Sequence, residues 1–371
     1  MRAIQSVDGP VAAAGLGVTL THEHVVVDLR KYWSEPQEVT RLAQANAPVD
    51  IDTIGKLRRD PFSGRDNLVL DDVAAAVAEL SAYRALGGDT VVDLTLPDIG
   101  RDVTALRMIS RLAGVKIIAG SGHYVHIAHP PDLGDAAVEA IADRFVRELE
   151  MGVGDTGIRT GLLGEIGTTV PVHPTEAKVL RAAALAHLAT QAPIAVHLSP
   201  PPSGAWWQGH EVLDVLESEG VDPGRVLLSH LDNVLGAGDD FDKAIRYHRE
   251  LGDRGCYLGF DGCGKEHYFP SGSRANYPNF WCPSDQLRAK AVAVLVDGGL
   301  GDRLLLSHDV CFKIELERFG GFGYGHILRT FGSNLVDYGL DPTLLRQILV
   351  SNARGFLCPD GGPDPAAATD L

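Results

Sequence analysis

The stretch Val18-Thr-Leu-Thr-His-Glu-His24 decides how this chain is read. A short apolar run ends in two histidines at i and i+2. On a β-strand that spacing puts His22 and His24 on one face, and Glu23 points the other way, away from their chemistry. Neutral imidazole is the commonest nitrogen ligand for zinc and its neighbours. Two imidazoles side by side at a strand end are therefore half of a metal site. Two surface histidines beside a turn would look the same in isolation, so the rest of the chain has to decide.

Working outward, a two-beat rhythm starts at this stretch and continues to the end. A short aliphatic or β-branched run is followed by a loop and then by a segment of 3.6-residue period. The predicted strands are 18–24, 90–95, 116–121, 161–166, 194–198, 225–230, 256–261 and 303–309. They are mostly apolar rather than alternating, as parallel strands covered on both faces should be. Helices are expected over 71–86, 101–112, 135–150, 175–190, 208–219, 240–252, 284–297 and 324–338. Asp71 and Asp135 are the expected caps of the first and third of these. Eight β-then-α units predict an α/β fold of the (β/α)8 TIM-barrel type. A doubly wound open sheet is the main alternative, but no G-x-G-x-x-G follows the first strand.

Residues 1–17 read as a short N-terminal hairpin, with Asp8-Gly9-Pro10 at its turn. Residues 1–358 form one barrel domain with no shift of composition inside it, and the Pro-, Gly- and Ala-rich tail 359–371 is expected to be disordered. Three long connections, 31–70, 262–283 and 310–323, follow strands and so fall on the barrel face where active-site loops belong.

The totals exclude several classes. The net charge of −16 disfavours nucleic acid and anionic lipid as general partners. No run approaches the roughly 18 apolar residues of a membrane span. Five cysteines, with no C-x-x-C pair, argue against a disulfide framework and for a reducing compartment. The N-terminus lacks the apolar core of a signal peptide, so a cytoplasmic location is expected.

Polar residues recur at the strand ends. His22 and His24 end the first strand, Glu165 lies near the end of the fourth, His197 ends the fifth, His230 the sixth and Asp309 the eighth. In a parallel barrel these ends converge on one mouth. Four imidazoles and two carboxylates around one cavity suit two divalent metals bridged by a carboxylate. Taken singly, Glu165 reads as well as a buried salt-bridge partner and His197 as a satisfied core histidine. His308 competes with Asp309 as the ligand, although alternation sends the two to opposite faces.

With these residues in view, the chain resembles the phosphotriesterase family of the amidohydrolase superfamily. Thr19-Leu-Thr-His-Glu-His24 is similar to that family's first-strand motif. Asp98-Ile-Gly-Arg-Asp102, Asp155-Thr-Gly-Ile-Arg159, Gly164-Glu-Ile-Gly-Thr-Thr169, Val196-His-Leu198, Leu228-Ser-His230, Gly259-Phe-Asp261 and Leu306-Ser-His-Asp309 follow in the family's order. The resemblance implies a binuclear centre. His22, His24 and Asp309 would hold the more buried metal, and His197 and His230 the more exposed one. The family's best-known members bridge the metals with a carboxylated lysine on strand four. Glu165 stands there instead, as in one branch of the family, and needs no carbon dioxide to act as a ligand.

The implied reaction is hydrolysis by a metal-activated water, with two zinc ions expected and manganese or cobalt as substitutes. Asp309 is the expected catalytic proton acceptor. Tyr124 just past strand three, Trp206 and Trp207 in the stiff loop 199–207, Trp281 and Asp261 are candidates for the substrate pocket, with a loop anchor as the equal reading of Asp261. A lactone or other carboxylic ester is the first expectation for the small-molecule substrate. An amide comes next, and organophosphate triesters follow as a side activity. Outside this class stand a single-metal deaminase and a non-catalytic metal-binding protein. Assembly as a homodimer is left open.

Overall fold

The computed structural model describes residues 3–33, 39–200, 208–236, 240–270 and 280–358. Trp206, Trp207 and the tail 359–371 lie outside them. Eight parallel strands pair in chain order: β1 (Val18–Glu23), β2 (Gly88–Asp93), β3 (Lys116–Ser121), β4 (Leu162–Thr168), β5 (Ile194–Leu198), β6 (Val226–Ser229), β7 (Tyr257–Phe260) and β8 (Leu304–Leu306). The seam between β8 and β1 is joined just past the strand end. Asp309 N donates to His22 O (3.2 Å) and His24 N to Val310 O (3.2 Å). The fold is the expected TIM barrel.

Two apolar clusters show why the sequence takes this form. The large one lies between sheet and helices and includes Leu20, Val91, Ile117, Leu163, Val196, Leu228 and Leu304. The small one includes Val92, Ile118, Leu162, Ala195, Leu227 and Leu305, and is plugged by Ile4, Leu16 and Phe356. Neighbouring residues on a strand thus serve opposite faces, and both faces are apolar. Ala3–Ser6 and Gly9–Ala12 form the N-terminal hairpin that carries Ile4.

Element ends shift by a few residues for local reasons. The second strand runs 88–93 rather than 90–95. The helix Val73–Ala85 is capped by Asp72, whose carboxylate accepts from Ala75 N, so Asp71 lies one residue too early. The helix Val138–Glu150 starts after Ala137 without a side-chain cap. Asp135 is instead in the preceding turn, its N–H bonded to Asp132 O. The last predicted helix opens at Ile327 as a wide turn and continues as Gly332–Asp337.

Glu23 fastens the seam. Its carboxylate accepts from Ser307 Oγ (2.7 Å), His308 N (2.8 Å), His308 Nδ1 (2.8 Å) and Val310 N (3.0 Å). His308 is thereby turned from the mouth, and its Nε2 accepts from Ile327 N (3.1 Å). Glu23→Gln would aim an amide donor at groups that are themselves donors. We expect it to destabilise the fold by about 2–4 kcal/mol, read from urea unfolding. An unchanged midpoint would refute this role.

A second tie lies behind β6. His248, on the helix Phe241–Asp253, donates from Nε2 to Leu231 O (2.8 Å). Burial pushes His248 down to about 4, only partly opposed by that bond. The unfolded chain binds this proton near pH 6.5 and the folded chain does not, so the contribution is complete above pH 6.5 and is lost as pH falls toward 4. The loss amounts to about 3 kcal/mol. His248→Gln keeps a donor for Leu231 O, and its stability should fall less than that of the wild type over that interval.

Candidate metal centre

The strands deliver their polar ends to one point, but mostly not by plain alternation. Leu20 pairs with Val91 and Glu23 with Asp93, so β1 carries one extra residue there. Leu163 pairs with Ile194 and Ile166 with Val196, so β4 does the same. Each bulge turns inward a residue, His22 or Glu165, that strict alternation from Leu20 or Leu163 would send to the helices. His197 follows Val196 inward with no irregularity. His230 at φ 62° and Asp309 at φ 52° are left-handed, a conformation that non-glycine residues rarely adopt and that clusters at functional sites.

Glu165 sits in the middle. Its Oε2 lies 2.9 Å from His22 Nε2, 3.2 Å from His197 Nδ1 and 3.2 Å from His230 Nε2. Asp309 Oδ1 lies 3.3 Å from His24 Nε2 and 3.6 Å from His22 Nε2. Ligand atoms of His22, His24 and Asp309 fall within 4.8 Å of one another, as do those of Glu165, His197 and His230. The six residues picked from the sequence therefore meet in two adjoining groups.

A further layer orients the rings. Asp261 Oδ2 is 2.8 Å from His22 Nδ1, and Asp261 Oδ1 is 2.8 Å from His230 Nδ1 and 2.9 Å from His230 N. One carboxylate thus holds the outer nitrogens of two rings and leaves both Nε2 atoms facing Glu165. His24 Nδ1 lies 2.9 Å from Thr95 Oγ1. This carboxylate–histidine pattern is the usual support of a metal-binding imidazole. Asp261, a candidate for substrate contact, is placed behind the rings instead, because β7 ends one residue before it.

Burial and charge act together here. Burial works against protons on His22 and His230, yet Glu165 and Asp261 raise His22 well above its ordinary range, and Asp261 leads in raising His230 to about 10. Burial opposes ionisation of Glu165, but the His22 and His197 rings hold its carboxyl well below the carboxylate range. Asp309 is likewise held low against burial, chiefly by Lys265. The centre is thus built of ionised acids that require cations. His22 Nε2 and Glu165 Oε1 are buried and make no hydrogen bond. Donor types, separations and the unpartnered Glu165 Oε1 all fit a pair of divalent ions in place of those protons.

The cleft above the centre holds about 680 Å³ of empty space, open to solvent. Tyr32 and Phe62 reach it from the first long connection and Leu29 from just before it, Phe269, Phe280 and Cys282 from the seventh, and Cys311 and Phe312 from the eighth. Tyr124 lines it and meets the His197 ring edge-on at 4.9 Å. Trp281 does not line it. That ring is 63% exposed and packs on Tyr268, while its neighbour Phe280 turns inward.

Lys265 escaped the sequence reading. Its Nζ donates to Asp309 Oδ2 (2.5 Å) and Cys311 Sγ (3.3 Å) and lies 3.4 Å from Glu315 Oε1. Burial lowers its affinity for a proton, but Asp309, Cys311 and Glu315 outweigh that and keep the ammonium charged. A lone lysine in a 22-residue loop, 262–283, carries no spacing signal that could have marked it.

The phosphotriesterase family model matches residues 2–357. An N-acetyltaurine hydrolase from Tetraodon nigroviridis is 36% identical over 356 residues, covering 95% of this chain and 97% of that protein. The structure of a resiniferatoxin-binding protein from Rhodobacter sphaeroides superimposes with a TM-score of 0.89 at 37% identity, covering 96% of this chain and 94% of that one. A phosphotriesterase homology protein from Escherichia coli, with phosphate in its active site, gives a TM-score of 0.72 at 27% identity, covering 92% and 99%.

Retention of two ions would depend on Glu165. Without it, two cations would lose the anion between them, and their repulsion would expel the more weakly held one. Glu165→Ala reconstituted with zinc should retain about one ion per chain or fewer, against about two in the wild type, by elemental analysis after gel filtration. Wild-type loading should not respond to bicarbonate. Clear bicarbonate dependence would mean that another residue bridges.

Proposed function

The chain belongs to the phosphotriesterase family of metal-dependent hydrolases, and on that premise we propose that it hydrolyses the amide bond of a small N-acylated amine at a binuclear centre. His22, His24 and Asp309 would hold one ion, His197 and His230 the other, and Glu165 both. The observation that carries this reading is the Glu165 carboxylate within 3.2 Å of three imidazole nitrogens from the ends of three different strands. Divalent ions held there would supply a Lewis acid for the carbonyl and an ionised water as nucleophile.

The chain's own residues do the rest. Asp261 keeps the His22 and His230 rings in one orientation. Asp309 accepts the water's proton and passes it to the leaving nitrogen. Tyr124 and the phenylalanine walls give the acyl group an apolar seat. The amide moves ahead of the lactone or ester expected from the sequence because a relative similar over 95% of this chain is named for an N-acyl amine. The ester reading stays second. It draws on the aromatic walls, which suit an apolar ester as well. A non-catalytic binder would not need two complete ligand groups.

Zinc-loaded protein should contain about two ions per chain and turn over N-acyl amines with a higher kcat/KM than lactones, esters or phosphotriesters, by roughly 100-fold or more over the triesters. Removing the metal with a chelator should abolish all of these activities together. A panel in which lactones react and N-acyl amines do not would overturn the amide reading and keep the ester one.

A further inference from the structure

Lys265 is the one lysine or arginine among the described residues lining the cleft. The other walls are mostly aromatic and aliphatic. Its position is built rather than accidental. Arg288, fully buried, donates to Lys265 O (3.0 Å) and is itself fixed by Asp232 (2.6 Å) and Asp285 (3.1 Å). Gly264, at φ 81°, donates to Asp285 Oδ1 (2.8 Å), and Lys265 N bonds back to Gly262 O (2.9 Å). A braced turn therefore sets the ammonium over the rim of the centre.

A cation there gives the metals nothing. It repels them and draws on the same carboxylate that would ligate one of them. Its service has to be to something else in the cleft. Asp309 turns Oδ1 toward the histidines and Oδ2 toward Lys265. Glu315 Oε2 accepts from Cys311 N (2.7 Å) and Phe312 N (3.0 Å), and its Oε1 faces Lys265 Nζ at 3.4 Å, outside a direct hydrogen bond, and His267 Nε2 at 3.2 Å. The remaining Lys265 bond ends on Cys311 Sγ, a weak acceptor that itself lines the cleft. Once Asp309 is shared with a metal, less of its charge answers the ammonium, and the bond to sulfur is the one an incoming oxyanion can replace.

We propose that Lys265 recognises an anionic group on the amine half of the substrate, which makes the substrate class an N-acylated amino acid or aminosulfonic acid rather than a neutral amide. The assignment rests on the amide reading above and adds the residue and the charge. Carboxylate and sulfonate share the chemistry that Lys265 reads, and the test separates them.

The experiment uses zinc-loaded full-length chain, with metal content measured in every sample. Three substrates of similar length are compared: N-acetyl-3-aminopropanoate, N-acetyl-2-aminoethanesulfonate and uncharged N-acetylpropylamine. In Lys265→Met the ratio of kcat/KM, anionic over neutral, should fall by about 10- to 100-fold, mostly through KM, with Lys265→Arg recovering part of it. The substrate with the larger fall identifies the oxyanion preferred. In parallel, calorimetry with propane-1-sulfonate and with propanoate should detect binding to the wild type that Lys265→Met loses. This arm needs no turnover, so it decides the proposal even if no amide is cleaved and the reading above fails. An unchanged ratio with unchanged anion binding overturns it. So does a Lys265→Met variant that loses metal and all substrates in proportion, since Lys265 would then only support Asp309.

Discussion

The seam between the first and last strands is the constraint on which everything above it depends. A barrel of parallel strands must join its two ends, and here the joint falls among the residues of the centre. His22 accepts a backbone bond from Asp309, and His24 donates one to Val310. Glu23, between the two histidines, spends its whole carboxylate on the far side of the joint. Closing the barrel and aligning the two histidines with Asp309 are therefore one event. A shift of β8 by one residue would unfasten Glu23 and move Asp309 from His24 in the same motion.

The centre follows the same economy of parts. Asp261 serves a ring from β1 and a ring from the end of β6, and Glu165 faces three rings at once. Buried acids that each meet several imidazoles leave a deficit of positive charge which protons can fill only partly. His197, whose proton burial removes, shows the limit of that compensation. Divalent cations suit the arrangement because each brings two charges to several imidazole and carboxylate lone pairs at once.

Much of this was legible in the sequence, though not always for the reason first given. The His-x-His stretch and the polar residue closing each of four further apolar runs do meet at one mouth. Plain i, i+2 alternation is not what turns His22 inward, however, since Leu20 on the same strand packs against the helices. A bulge intervenes, and a one-residue bulge leaves no mark in an apolar pattern. The left-handed turns at His230 and Asp309 were equally invisible, because neither position carries the glycine that announces such a turn. Glu23 was read as a bystander. An ionisable group flanked by ligands on a strand buried from both sides must find donors somewhere, and that argument would have shown it to be structural. Lys265 lay beyond reach, because its neighbours are brought to it by loops. Trp206 and Trp207, expected beside His197, fall outside the described residues.

The hairpin residue Ile4 and Phe356 of the last described helix share the small apolar cluster at the foot of the barrel, mostly with residues from the starting halves of the strands. The mouth lies at the opposite pole. A tether joined beside Ile4 or Cys358 would start at the base, so the protein could be displayed on a bead, an electrode or a partner domain with its cleft facing outward. That orientation comes from the plug itself and needs no redesign of the catalytic face.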